Sequence, residues 1–372
     1  MRRSDVNCRA IAFYLPQFHP IPENDEWWGK GFTEWVNVAR ARPLFRGHYQ
    51  PHIPADLGFY DLRVPEVRVA QAEMAAEYGI EGFCYWHYWF GGKRLLERPF
   101  NEVLASGEPR FPFCLAWANH SWTGIWDAKP GKVLIEQKRL GDSDTIAHFR
   151  EVLPAFKDER YITVEDKPVF VVFRPREIPE PERFTDMWRQ MAVESGLKGV
   201  YFIGITDEKW VPEEHGFDAS LSGNMYTTAL SSHPFWKLLD KVMNRSVRRI
   251  RNAVSPKPLV YQYASIVRRA FLLEPNIPTR YPVVVPNWDN TPRYGRRGYV
   301  FHNSSPELFR IYVRKALDRI ADRDREHRLV FIKSWNEWAE GNHMEPDRRY
   351  GRGYLEVFRQ EVASEPPAVP RG

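Results

Sequence analysis

Short apolar runs of strand length alternate with helix-like segments along the whole chain, and this alternation limits the fold more than any other feature. The predicted strands are residues 10–15, 82–88, 113–118, 168–173, 200–205, 219–222, 283–285 and 329–333. The predicted helices are residues 64–78, 95–105, 145–156, 184–194, 306–324 and 354–362. About eight strand–helix units in 372 residues suit a (β/α)8 barrel.

A doubly wound open sheet is the competing fold, since it would show the same alternation. Polar and aromatic residues, however, gather after nearly every predicted strand, and barrels place their working loops at that end. We therefore predict an α/β fold, a TIM barrel forming a single catalytic domain over residues 1–372. Residues 16–61 form a long insertion without regular structure after the first strand, and residues 365–372 a flexible tail.

A second insertion, residues 224–277, separates the sixth and seventh predicted strands. Within it, residues 235–254 are predicted to be a basic helix that carries several lysines and arginines. A solvated helix face is the simpler interpretation of this charge. The alternative is contact with an anionic membrane or a lipid-linked glycan.

Charge and cysteine content limit the cellular setting. Lysine and arginine exceed aspartate and glutamate by 53 to 48, and the two signs are interspersed, which argues against a nucleic-acid partner. Three cysteines are too few for a disulfide framework and favour a reducing compartment. The N-terminus shows no signal peptide and the chain no apolar run of membrane-spanning length, so we expect a cytoplasmic protein.

Two glutamates three residues apart follow the last predicted strand and are flanked by tryptophans. Glu337 and Glu340 lie beside Trp335 and Trp338, where burial and mutual repulsion would raise the pKa of one carboxyl group. On one helical turn they would be about 5–6 Å apart, which permits a retaining glycosidase. We predict that these two glutamates are catalytic.

Aromatic and short polar side chains follow several other strands and occur in the first insertion. Such mixtures suit a sugar pocket, although core packing is the simpler interpretation of any single ring. The predicted substrate-binding residues are Glu34, Trp35, Trp86, His87, Tyr88, Trp117, Asn119, His120, Trp122, Asp289, Trp335, Asn336 and Glu345. The expected partner is an oligo- or polysaccharide.

No cofactor or metal is predicted. His343, Glu345 and Asp347 have suitable side chains for a metal, but their spacing fits no standard zinc pattern. No phosphate-cradling glycine loop accompanies a strand–helix junction, which weakens the case for a nucleotide-sugar donor.

Five segments in the same order resemble a known family: WWGKGFTEW, LFRGHYQPHIPADLGFYDLR, GFCYWHYWF, LAWANHSWT and NEWAEGNHMEPD. They are similar to the WbsX-type proteins, glycosyltransferases of surface-polysaccharide clusters that look like relatives of glycoside hydrolase family 99. The resemblance spans residues 10 to about 358 and implies a (β/α)8 fold. It further implies that Glu337 acts on the sugar 2-hydroxyl, giving a 1,2-anhydro sugar, and that Glu340 is the acid/base.

Three functions remain open. The first is a family 99-like glycoside hydrolase that acts on a surface or complex polysaccharide through Glu337 and Glu340. The second is a glycosyltransferase of surface-polysaccharide biosynthesis that uses the same glutamates. The third is a carbohydrate-binding barrel without catalytic activity.

Overall fold

Eight strands form one parallel sheet that curves into a barrel in the computed structural model, which describes residues 7–363 apart from 125–132, 139, 208, 223–256 and 273. The strands are β1 (Arg9–Tyr14), β2 (Gly82–Trp89), β3 (Phe113–Trp117), β4 (Lys167–Val172), β5 (Tyr201–Thr206), β6 (Ala219–Ser222), β7 (Arg280–Tyr281 and Val283–Val284) and β8 (Leu329–Ile332). All eight predicted strands are confirmed, and no end differs by more than three residues.

The sheet returns on itself through β7. Neighbouring strands follow the order β6, β5, β4, β3, β2, β1, β8. The first half of β7 pairs with β6 and its second half pairs with β8, with Pro282 between the halves. The sequence prediction contained only the second half. Because the two ends of the sheet belong to one strand, the barrel is nearly closed, and the open doubly wound sheet is excluded.

Side chains of successive strand residues alternate between the barrel interior and the surrounding helices. On β2, Tyr85 packs against Phe100 of a helix, with ring centroids 5.3 Å apart. The intervening Trp86 stacks on Phe13 of β1 at 5.0 Å. This alternation decides which residues at the end of each strand reach the mouth of the barrel.

Ten α-helices of the described residues surround the sheet and its loops. They are α1 (Pro22–Trp28), α2 (Glu34–Arg40), α3 (Pro65–Glu77), α4 (Arg98–Ser106), α5 (Asp142–Phe156), α6 (Pro181–Glu194), α7 (Tyr263–Arg269), α8 (Thr291–Tyr294), α9 (Pro306–Asp318) and α10 (Gly353–Ala363). Four of them begin with proline, which suits the first helical position because the amide there has no partner within the helix.

Two predicted helices and the first insertion differ from the structure. The helix predicted from residue 95 begins at Arg98, because Leu95 pairs with Tyr88 of β2. The helix predicted to residue 324 ends at Asp318. The prediction that residues 16–61 lack regular structure is wrong, since this segment contains α1 and α2.

The second insertion is described only from residue 257. Its predicted basic helix, 235–254, lies outside the described residues, as does the predicted tail, 365–372. The described part forms a strand, Leu259–Gln262, that pairs in parallel with Tyr299–His302 outside the barrel. Sequence analysis did not predict this pair.

All three cysteines are buried and free, and Cys84 and Cys114 occupy neighbouring positions on β2 and β3. Among the described helices, none combines the length and the apolar character that crossing a bilayer requires.

Candidate active site

The two glutamates lie on a sharp reversal of the chain that follows β8. Asn336–Glu337 pairs with Asn342–His343 as an antiparallel ribbon, and a single 3-10 turn, Trp338–Glu340, connects them. Gly341 ends this turn with a φ of +63°, and a Cβ there would lie 2.8 Å from the backbone nitrogen of Asp289. Glycine is therefore required at this close approach. The turn brings both carboxyl groups to one side of the ribbon.

A cavity of about 490 Å³ lies at the carboxyl ends of the barrel strands, and both glutamates line it. Aromatic rings and basic side chains make up much of the remaining wall. They are Trp28, Trp86, Tyr88, His120, Trp122, Phe173, Arg174, Arg293, Tyr294 and Lys333. A pocket of this size with rings and a few charged groups suits a small ligand or part of a saccharide.

One buried arginine, Arg293 of α8, joins three carboxylates at the floor of the cavity. Its Nη1 lies 2.7 Å from Glu340 Oε1 and 3.2 Å from Glu337 Oε1. Its Nε donates to Glu34 Oε2 at 3.1 Å. Since both glutamates reach the same nitrogen, their Oε1 atoms are less than about 6 Å apart.

Burial changes the acidity of this cluster. It raises the pKa of Glu337 to about 7, and the negative charge of Glu340 acts in the same direction, while Lys333 and Arg293 oppose it. Burial also raises the pKa of Glu34, against the effect of Arg293. A carboxyl group that titrates near neutrality is suited to exchange a proton with a substrate.

Four predicted substrate-binding residues line the cavity together with the two glutamates: Trp86, Tyr88, His120 and Trp122. The ring of Tyr88 meets Trp122 edge-on, with centroids 5.0 Å apart. Burial, with a smaller effect of Arg174, lowers the pKa of His120 to about 4, so its imidazole is neutral at pH 7. A saccharide contact stays a prediction for all four.

His87 and Trp117 point away from the cavity. His87 Nε2 lies 2.8 Å from His148 Nε2 of α5, and the Trp117 ring packs against Phe184 of α6. Side chains alternate between the two faces of a strand. Trp86 and Tyr88 face the cavity, so His87 between them faces the surrounding helices.

Two asparagines predicted to bind substrate instead connect neighbouring strand ends. Asn119 accepts a hydrogen bond from the backbone N–H of Arg174 at 2.8 Å and donates to its carbonyl at 2.9 Å. Asn336 makes the same pair of bonds with Leu15, at 2.7 and 3.0 Å. Arg174 and Leu15 both line the cavity, so these amides hold its rim.

Glu345 is enclosed by hydrogen-bond donors behind the turn that carries Glu337 and Glu340. Its oxygens accept from Tyr60 Oη at 2.8 Å, Gln71 Nε2 at 2.6 Å and Trp338 Nε1 at 2.6 Å. Burial raises its pKa to about 7, and these donors oppose the rise. Because the three donors come from three different segments, Glu345 connects α3, the first insertion and the turn.

The last two tryptophans predicted to bind substrate, Trp35 and Trp335, are packing residues in this structure. Trp35 contacts Trp338, with ring centroids 5.7 Å apart, and Trp335 is fully buried against Phe83 at 5.2 Å. Neither lies among the cavity-lining residues, because Trp35 is on the inner face of α2 and Trp335 lies behind the barrel wall. Trp35 therefore packs against the turn that carries the two glutamates.

Asp289 positions the arginine and does not line the cavity. Its Oδ1 accepts from the backbone N–H and the hydroxyl of Thr291, at 2.9 and 2.6 Å, at the start of the helix that carries Arg293. Its Oδ2 accepts from His48 Nε2 at 2.6 Å and Gln50 Nε2 at 2.7 Å. Burial alone would raise the pKa of Asp289, but the bond and charge of His48 lower it.

Sequence analysis missed the basic residues of the site. Arg293 and Lys333 both line the cavity, and Lys333 Nζ lies 5.1 Å from the ring centroid of Trp288. Their only signal was position, because Lys333 directly follows β8 and Arg293 lies in α8, the short helix that follows β7. Residue type did not distinguish them from the many other arginines and lysines of the chain.

Comparison with known proteins agrees with this fold. A sequence model of the family described as "Glycosyltransferase WbsX" matches residues 10–358. Two strains of Xanthomonas campestris pv. campestris contain a protein WxcX that is 40% and 39% identical to this chain, over 96% of its residues. The chain spans about half the length of these curated relatives, 50% in each case.

Two solved structures share the overall architecture. One is a "glycoside hydrolase-like protein", with a TM-score of 0.55 and 15% identity, which covers 95% of this chain and 94% of its own. The other is the GH99 endo-alpha-mannosidase from Bacteroides thetaiotaomicron, with a TM-score of 0.52 and 14% identity, over 95% of this chain and 96% of its own. At such low identity the likeness is one of fold.

Proposed function

The chain belongs to the WbsX glycosyltransferase family, and we propose that it is an enzyme that cleaves glycosidic bonds of a surface or complex polysaccharide through Glu337 and Glu340. The observation that carries this proposal is the meeting of both carboxylates on one nitrogen of Arg293, in the wall of a cavity lined by aromatic rings. The aromatic walls provide flat surfaces for sugar faces, and the glutamates provide proton transfer.

The geometry supports a retaining outcome. The nearest oxygens of the two carboxylates are less than about 6 Å apart, whereas inverting enzymes separate their carboxyl groups by roughly 6.5–9.5 Å to admit a water. A pKa of about 7 makes the ionised Glu337 a stronger base than an ordinary carboxylate.

In the proposed first step, Glu337 takes the proton of the sugar 2-hydroxyl, and that oxygen forms a bond to C1. The bond between C1 and the glycosidic oxygen breaks, and Glu340 protonates the departing oxygen. Water then attacks C1 and gives its proton to Glu340. The C1–O2 bond of the 1,2-anhydro sugar opens, and Glu337 returns its proton to O2.

Transfer is the second candidate, and the family match supports it directly. The same anhydro intermediate forms a new glycosidic bond if a sugar hydroxyl attacks C1 in place of water. Hydrolase and transferase would then share this intermediate and differ in the acceptor that attacks C1 and, where the donor is an activated sugar, in the group that leaves C1 when the intermediate forms. Both would depend on the two glutamates.

The test is incubation of the full chain with a library of labelled bacterial polysaccharide fragments, with and without nucleotide-activated sugars. Glu337→Gln and Glu340→Gln are compared with wild type, and Glu356→Gln, on the exposed face of α10, is the matched control. We expect each site variant to lose roughly a thousandfold or more in turnover, while calorimetric binding changes little.

Product analysis separates the candidates. New reducing ends with a retained anomer, followed by NMR, support the hydrolase, and extension of fragments only in the presence of an activated sugar supports the transferase. Either glutamine variant at the rate of wild type would refute the catalytic assignment. Fragment binding by wild type with no turnover in any arm would favour a carbohydrate-binding barrel.

A further inference from the structure

Two histidines and an aspartate from distant parts of the sequence meet behind the catalytic turn. His52 Nδ1 lies 3.0 Å from His343 Nε2, and Asp347 Oδ2 lies 4.0 Å from the same His343 nitrogen. One ligand atom from each side chain falls within 4.8 Å of the others. All three side chains are buried, at 1–4% exposure, so this is not a chance surface cluster.

The tautomer of His343 is determined by its neighbour. Its Nδ1 lies 3.0 Å from the backbone carbonyl of Glu345, which can only accept, so Nδ1 carries the hydrogen. Nε2 therefore presents its lone pair to His52 and Asp347.

Asp347 is oriented in the same direction. Its Oδ1 accepts from the backbone N–H groups of Arg349 and Tyr350, at 2.9 and 2.7 Å. The other oxygen, Oδ2, is left on the side of the two imidazoles. His52 Nδ1 donates a hydrogen bond to the lone pair of His343 Nε2, and a cation bound between the three groups would replace that proton, with His52 carrying its hydrogen on Nε2 instead.

We propose that His52, His343 and Asp347 form a binding site for a divalent transition-metal cation of the Zn²⁺ class. Two imidazoles on one Zn²⁺ place their nitrogens roughly 3.3 Å apart, close to the separation of the His52–His343 pair. Nitrogen ligands favour such an ion over Mg²⁺ or Ca²⁺, which prefer oxygen. The carbonyl of Glu345 provides the outer hydrogen bond that commonly orients a metal-binding histidine.

A cation here would join the first insertion to the catalytic loop. The backbone already connects these segments, because Ala55 N–H donates to the Pro346 carbonyl and Arg348 N–H to the Ile53 carbonyl, both at 2.9 Å. The His343 ring stacks on Trp338, with centroids 3.8 Å apart, and Trp338 directly follows Glu337. The metal would therefore stabilise the turn that holds the glutamates, without contacting substrate.

Sequence spacing argued against a metal because it compared neighbours only. Of the three neighbouring candidates in the sequence, Glu345 points away from His343 and Asp347 and accepts hydrogen bonds from Tyr60, Gln71 and Trp338. The third ligand is His52, which lies 291 residues before His343. Only the fold brings it into reach.

The test uses the tag-free full chain, stripped with a chelator and then titrated with Zn²⁺. We expect one Zn²⁺ per chain by mass spectrometry of the metal content. At a hundredfold excess over the dissociation constant, the melting temperature should rise by roughly 3 °C. Mg²⁺ and Ca²⁺ at the same concentration should leave it unchanged.

Two variants and a control connect the effect to these residues. His343→Ala and the nearly isosteric Asp347→Asn should lose both the bound metal and the thermal shift. His302→Ala, which removes a histidine outside the cluster, should keep both. Because wild type is compared with and without metal, the test does not depend on the variants folding.

The proposal is overturned if wild type takes up less than about 0.1 equivalents of Zn²⁺ with no thermal shift, or if both ligand variants bind like wild type. An equal shift with Mg²⁺ would overturn the assigned class of ion. None of these measurements depends on turnover, so the metal site and the proposed function fail or stand separately.

Discussion

Replacement of Arg293 by methionine tests whether one guanidinium holds three buried carboxylates in place. Methionine keeps much of the apolar volume and removes the charge. Glu34 is fully buried, and Glu337 and Glu340 have side-chain exposures of 9% and 13%. Removing one partner of a buried ion pair costs about 3–5 kcal/mol, because the remaining charge has neither water nor counterion. We expect a loss of this size at pH 8.

The loss should shrink as the pH falls. The pKa values of Glu34 and Glu337 are already raised in the folded state, and without Arg293, which lowers both, they rise further above their unfolded values. Groups with a raised folded pKa destabilise the protein where they are ionised, and they cease to do so once protonated. The difference in unfolding free energy between wild type and Arg293→Met should therefore be larger at pH 8 than at pH 5, as measured by urea denaturation.

Arg68→Met is the matched control. Arg68 is also buried, but its partner Glu102 is 33% exposed and retains a second arginine, Arg98, at 2.6 Å. The free energy of unfolding lost in Arg68→Met should depend little on pH. Adding Glu34→Gln to Arg293→Met should recover part of the stability by removing one stranded charge. A loss below about 1 kcal/mol at pH 8, or one of equal size at both pH values, would contradict this account of the cluster.

Three further predictions concern the same region. If Glu337 acts as a base, kcat/KM should rise with pH through a midpoint near 7, since the carboxylate form exists above its pKa of about 7; a rate that falls across this range would instead make it the acid. Glu345→Ala should lower the free energy of unfolding by about 3 kcal/mol or more, because Tyr60, Gln71 and Trp338 lose their acceptor; Glu345→Gln keeps one acceptor oxygen and should cost less than Glu345→Ala, and equal urea midpoints for the two variants would disprove the role of these bonds. Gly341→Ala should cost more stability than Gly351→Ala, where φ is also positive but nothing lies within 4 Å of an added Cβ; strain alone is worth about 1 kcal/mol, so equal losses would mean that the contact with Asp289 is unimportant.

The sequence alone determined the architecture and the two glutamates, because both depend on local patterns. Apolar runs and their spacing predicted the barrel strands, since burial in a parallel sheet requires continuous hydrophobic segments. Glu337 and Glu340 stand together in one motif with tryptophans, so their proximity needed no knowledge of the fold. Strict use of strand alternation would also have separated Trp86 and Tyr88 from His87, which points to α5.

Only the tertiary structure decided which partners surround the glutamates. Arg293 reaches Glu34 across 259 residues, and His52 meets His343 across 291, separations at which local spacing carries no information. These residues come together because parallel strands bring their carboxyl ends to one mouth of the barrel, whatever their order in the chain. The same closure places Asn119, Asn336 and Asp289 behind the cavity wall, where their hydrogen bonds are satisfied by protein. The chemical type of these three residues made them plausible contacts for a substrate. In the fold, their side chains point away from the cavity and hold the surrounding backbone and side chains in place.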